Sequence, residues 1–99
     1  MIVVQVEHFL NEPGQAYFPT WLSEAAAVLS GFAGFISIRQ LRRVDDPAAC
    51  HLLLEFRSLP ELRAWSKSQA HDDLIGRLEP YRLKKQVSQV FEAGERLST

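Results

Sequence analysis

One cysteine in 99 residues, Cys50, leaves no partner for an internal disulfide and no cysteine spacing from which a metal site could be built. An excess of charge of one sign is missing too. Eleven basic residues stand against 12 acidic ones for a net charge of -1, and the densest basic runs are only the pairs Arg42-Arg43 and Lys84-Lys85. A nucleic-acid backbone calls for a concentrated cationic face, so no nucleic-acid partner is expected. No stretch approaches the ~20 apolar residues that cross a bilayer. The start, MIVVQVEHFL, has neither a basic segment nor the long apolar core of a secretory leader. The expectation is a soluble cytoplasmic protein without a membrane partner. Also absent are a nucleophile with a base at readable spacing, a glycine loop to cradle phosphate and a metal-ligand cluster, so no metal is expected.

What is there is the composition of an ordinary globular chain, 46% hydrophobic and 23% charged. The length fits one domain, with a core over residues 2–92 and a polar tail over 93–99. A chain this short buries roughly 60 to 70% of the surface its unfolded form exposes, so association with a second copy adds substantially to its core.

Ile2 to Phe9 is rich in β-branched residues with apolar side chains on both parities, the pattern of a strand covered on both faces. Asn11-Glu12-Pro13-Gly14 supplies turn chemistry. From Gln15 to Ser30, the residues Phe18, Trp21, Leu22, Ala25, Val28 and Leu29 fall on one helical face. Pro19 is compatible with a helix starting near Gln15, because the first four helical N-H groups have no intrahelical acceptor. Gly31, with Gly34 after it, is the expected stop.

Phe35 to Arg42 alternates as a strand. Asp45-Asp46-Pro47 turns it through a longish loop into a second strand from about Ala49 to Arg57. A helix follows with Ser58 or Leu59 at its cap, Pro60 in the first turn and Glu61 in the positive amino-terminal field, running to about Ser68. His71 to Leu78 reads as a second short helical turn ended by Glu79-Pro80, and Leu83 to Phe91 as the last strand. The order β-α-β-β-α-β is that of the ferredoxin-like α+β fold: a four-stranded antiparallel sheet with two helices on one face. Apolar residues on both parities of the strands imply that a second copy packs its sheet against the bare face, as a homodimer.

Phe56-Arg57-Ser58, Leu62 and the spacing Trp65-Ser66-Lys67-Ser68-Gln69-Ala70-His71 resemble the antibiotic biosynthesis monooxygenase family of dimeric α+β barrels. There an aromatic ends the third strand and the following helix closes on W-x-x-S-x-x-H. Gly34-Phe35-Ile36-Ser37 resembles the family's lead into the second strand. The likeness spans residues 2 to 92. It implies a cavity between helices and sheet in each subunit of a dimer. It also implies, as the first function, cofactor-independent monooxygenation of a small aromatic substrate such as a phenol or hydroquinone. Such a substrate carries the electrons itself, and the protein supplies a base or anion stabiliser in a dry pocket. The competing class is a non-catalytic ligand-binding or structural dimer of the same fold, with haem cleavage and isomerisation behind it.

The resemblance makes Trp65 and His71 the candidate catalytic residues. The indole N-H of Trp65 can bond a substrate oxygen, although a tryptophan beside Leu62 also serves as core. Histidine changes charge near neutral pH and suits a base, although His71 could equally cap the helical turn that follows it. Phe56 is the candidate for aromatic contact. Arg39 and Arg82 are the candidates for holding an anionic substrate, with an ion pair to Glu55 or Glu7 as the other reading of Arg39 and a solvated strand end as that of Arg82. Haem-cleaving relatives carry the iron-binding histidine one turn beyond His71, where this chain has Ile75, and an asparagine on the first strand where it offers Gln5 or Glu7. Isoleucine cannot ligate iron.

Overall fold

A computed structural model describes residues 1–98; Thr99, the end of the expected tail, lies outside the described residues. Strand β1 (Ile2–Leu10) leads into helix α1 (Glu12–Leu29), and β2 (Phe35–Arg43) forms a hairpin with β3 (Asp46–Phe56). Helices α2 (Leu59–Ser66) and α3 (Gln69–Gly76) and a 3-10 turn at Glu79–Tyr81 then precede β4 (Arg82–Glu92). The sheet is antiparallel with strand order β2-β3-β1-β4. This is the expected ferredoxin-like α+β arrangement, with three α-helices where two were expected.

Helix α1 begins three residues earlier than its apolar stripe suggests. Asn11 is a cap and not a turn residue: its side chain accepts the Gly14 N-H at 3.0 Å, which leaves Pro13 in the first turn where a missing N-H costs nothing. Pro19 therefore lies inside the helix, beyond its first turn, and removes the bond that the Gln15 carbonyl would accept. Pro19 is exposed, so water can take up the freed carbonyl. On the opposite side Phe18, Trp21, Leu22, Ala25 and Leu29 are buried against the sheet.

The β2–β3 connection is only Val44-Asp45, shorter than the expected loop, with Arg43 bonded through two nitrogens to Asp45 at 2.9 and 3.1 Å. Pro47 is tolerated inside β3 because the ladder is irregular there. Leu41 pairs with His51 and Arg43 with Asp46, so β3 carries extra residues that need no ladder donor.

The helix expected to run to about Ser68 ends at Ser66, and the second helical turn expected over His71 to Leu78 is α3, which Ser68 caps and which starts two residues earlier, at Gln69. Ser58 and Glu61 form a reciprocal cap on α2. Ser58 Oγ accepts from the Glu61 N-H, and the Glu61 carboxylate accepts from the Ser58 hydroxyl at 2.9 Å. Gly34 adopts φ +83°, a conformation open to glycine, and a side chain there would strike the Glu61 carboxylate. Gly31, the other expected stop, needs no such conformation; α1 ends at Leu29 with Ser30 as its cap.

The core lies between helices and sheet, on the face carrying Ile2, Val4, His8 and Leu10 of β1 and Cys50, Leu52, Leu54 and Phe56 of β3. The opposite face is not covered on both sides within one chain. It carries Val3, Leu41 and Leu53 beside the polar contacts Ser37 to Glu55 at 2.8 Å, Arg39 to Glu55 at 3.9 Å and His51 to Glu7 at 3.6 Å. Val87 and Phe91 of β4 stand exposed on the same face.

Candidate functional site

A cavity of about 500 Å³ opens between the sheet and the helices. Val4, Val6 and His8 of β1, Leu52 and Leu54 of β3 and Ile38 of β2 form its floor, and Trp21, Ala25 and Leu29 of α1 form one wall. The other wall comes from α2 and α3, through Leu62, Trp65, His71, Leu74 and Ile75. Gln86, Ser88 and Val90 of β4 complete the lining, and exposed Arg63, Ser66, Ser88 and Val90 mark its mouth. A mostly apolar hollow of this size, with few polar groups, suits a small organic ligand.

Trp65 and His71 are brought together on this wall. Their rings meet edge to face, centroids 5.3 Å apart and planes at 88°. The six-residue spacing has a local cause. Ser68 Oγ donates to the Trp65 carbonyl at 2.7 Å and accepts the His71 N-H at 3.1 Å, so one hydroxyl closes α2 and opens α3. Phe32 also meets the indole edge to face, with centroids 4.8 Å apart. His71 Nδ1 lies 3.3 Å from Asp72 Oδ1; with the ring proton on Nδ1 and donated there, Nε2 is left as the basic nitrogen.

The two tryptophans differ in how their N-H groups are used. Trp21 Nε1 donates to the Leu74 carbonyl at 2.8 Å and ties α1 to α3. Trp65, 4% exposed, lines the cavity, and its N-H makes no hydrogen bond among the described residues. Ile75, one turn past His71, places an alkyl chain on the wall. Gln5 and Glu7 sit on the opposite parity from the cavity-lining Val4, Val6 and His8.

The other sequence candidates lie off the cavity. Phe56 is fully buried and packs against Phe35 at 6.1 Å, in the core at the end of β3. Arg39 projects from the bare sheet face toward Glu55, one of the two ion pairs its position allows. Arg82 is bound to Glu79 at 2.8 Å, so its side chain is engaged and not a free strand end.

His8 belongs to the lining, although its place on a valine-rich strand gives no sign of chemistry. It is 3% exposed, meets Trp21 edge-on at 5.2 Å and lies 6.0 Å from the Phe18 ring. Burial, aided by the charges of Arg82 and His71, holds its pKa down at about 4, so the ring is neutral at pH 7. The parity of His8 with Val4 and Val6 is the one sequence signal that could have placed it inward.

The arrangement has counterparts. A family model described as antibiotic biosynthesis monooxygenase matches residues 1–77. Among curated proteins no sequence match is found. A crystal structure from Deinococcus radiodurans, provisionally assigned as an antibiotic biosynthesis monooxygenase, superposes with a TM-score of 0.85 at 13% identity, covering 100% of this chain and 98% of that one. A provisionally assigned one from Caulobacter crescentus gives 0.81 at 16% identity over 95% and 90%. SnoaB, a cofactor-independent oxygenase from Streptomyces nogalater, gives 0.78 at 17% identity over 99% and 98%. At these identities the structures share the fold. With the family match covering more than half its length, the chain belongs to the antibiotic biosynthesis monooxygenase family.

Proposed function

We propose that the protein is a cofactor-independent monooxygenase acting on a small aromatic phenol or hydroquinone, as a cytoplasmic homodimer joined through the bare sheet face. The observation that carries this reading is the Trp65–His71 pair on the wall of a largely apolar cavity of about 500 Å³. SnoaB, of the same fold, is a cofactor-independent oxygenase.

In this reading the aromatic ring lies against Val4, Leu52, Leu54 and Leu62, and the Trp65 N-H bonds the substrate oxygen. His71 Nε2 takes the proton whose loss makes the substrate an electron-rich anion. The anion transfers an electron to dioxygen, and the two radicals combine as a peroxide at a ring carbon that bears hydrogen. Cleavage of the O-O bond with loss of water leaves a carbonyl. A CH2 carbon of the keto form and one O2 thus become C=O and one water, with all four electrons drawn from the substrate. Exclusion of water protects the anion, and the Trp65 donor stabilises the charge on its oxygen.

Oxygen uptake with a panel of hydroxylated polycyclic aromatics tests this. Uptake by the wild type that falls at least about tenfold in both Trp65→Phe and His71→Ala supports it. No uptake across the panel, or variants as active as the wild type, favours the ligand-binding or structural dimer.

A further inference from the structure

We propose that His8 and Gln86 form a second polar subsite of the cavity, one that takes a single uncharged hydroxyl group of an aromatic ligand. Two unpartnered atoms point to it. His8 Nδ1 and Gln86 Oε1 are both sealed from solvent and neither has a hydrogen-bond partner. A buried polar group left unpaired is costly and uncommon, and two of them on one cavity wall mark a place that something else satisfies.

The ladder explains why they are neighbours. Between β1 and β4, Glu7 pairs with Val87 and Phe9 with Lys84, so two residues of β4, Lys85 and Gln86, stand opposite His8 alone. Gln86 keeps the cavity-facing parity of Ser88 and Val90, which pair with Val6 and Val4, so it lies beside His8, and the bulge takes up Lys85 as the extra residue. The Phe18 and Trp21 rings hold the imidazole in place. Despite their proximity, His8 and Gln86 do not satisfy each other.

The ligand class follows from the chemistry of the two groups. We assign the ring proton to Nε2, which leaves Nδ1 as an acceptor only, so the ligand brings the donor. Burial keeps this ring uncharged at neutral pH. A hydroxyl can donate to Nδ1 and at the same time accept from the Gln86 amide, whose oxygen and nitrogen exchange places by rotation. A carboxylate or phosphate does not fit. The guanidinium among the lining residues is that of Arg63, exposed at the mouth, and Arg82, whose charge reaches His8, is already paired with Glu79 at 2.8 Å, so a buried anion beside neutral His8 would lack a free counter-charge.

This inference rests on the reading of the cavity as an aromatic-binding site, and the probes separate the two. The full-length protein is titrated with naphthalene, 1-methoxynaphthalene and 1-naphthol, with tryptophan fluorescence as the readout. The subsite predicts that 1-naphthol binds about tenfold more tightly than 1-methoxynaphthalene, the worth of one buried hydrogen bond. It further predicts that His8→Phe and Gln86→Met each erase that ratio while keeping naphthalene affinity. Equal binding of all three probes overturns the subsite and leaves the aromatic reading standing; binding of none overturns both. Nitrogen-15 spectra of histidine-labelled wild type provide a check that needs no variant. The unprotonated nitrogen of His8 should shift upfield with 1-naphthol and not with 1-methoxynaphthalene, and no shift at saturating 1-naphthol overturns the proposal.

Discussion

Trp65 and His71 are joined twice: through space, by edge-to-face rings 5.3 Å apart, and through Ser68, whose hydroxyl bonds the carbonyl of one and the N-H of the other. Ser68 sets the angle between α2 and α3 and with it the spacing of the two candidate catalytic groups. Ser68→Ala is expected to cost about 1 to 2 kcal/mol in urea unfolding, the worth of a helix cap. Turnover should fall by more than the loss of folded protein accounts for. An unchanged unfolding midpoint would show that the cap is not what holds the corner.

Gly34→Ala should be the more damaging small substitution. It forces φ +83° on an alanine and drives its methyl group into Glu61, which accepts from Ser58 and Arg57. A loss of about 2 to 3 kcal/mol is expected, summing backbone strain and a broken cap. Thermal unfolding checks it, with Gly31→Ala, where a new methyl group would make only ordinary contact, as the comparison.

Acid should destabilise the fold through His8. Its pKa is about 4 in the folded chain against an ordinary 6.5, so the unfolded chain takes up the proton first as pH falls. This stability is fully present above about pH 6.5 and is lost progressively toward pH 4. Between pH 7 and pH 5 the loss is about 2 kcal/mol, and His8→Phe should abolish that component. Urea midpoints at the two pH values for both proteins make the comparison. Equal pH dependence in the two would place the acid sensitivity elsewhere.

The alternation of the four strands and the apolar stripe of α1 are readable in the residues, because period-two and period-3.6 patterns survive wherever one face is buried. Boundaries set by single hydrogen bonds are less so. Asn11 as a cap, the two-residue turn at Val44-Asp45 and the break at Ser68 depend on side-chain bonds that composition does not reveal. The same holds within the site. Trp65 and His71 stand out by type and spacing, whereas His8 and Gln86 face inward by strand alternation and become neighbours only through the β1–β4 register, which neither strand shows alone. Phe56 and Arg39 have the right chemistry for a ligand but face the core and the bare sheet surface.

The bare sheet face leads to a prediction about assembly. With Val87 55% and Phe91 46% exposed beside Val3 and Leu53, two sheets packed face to face would bury apolar surface that one chain leaves in water. Native mass should be about twice the 11.3 kDa of the chain, and Phe91→Asp should shift it toward the monomer. A wild type that remains monomeric at micromolar concentration would contradict the dimer.

The central claim, that this cavity lets an aromatic substrate reduce oxygen with its own electrons, is tested most directly by labelling. Chelator-treated protein is given oxygen-18 gas and a substrate that supports uptake, and the product is weighed by mass spectrometry. The account predicts one labelled oxygen in the product, the other in water, and loss of the label together with activity in His71→Ala. Unlabelled product with stoichiometric hydrogen peroxide, or activity that the chelator abolishes, would contradict it.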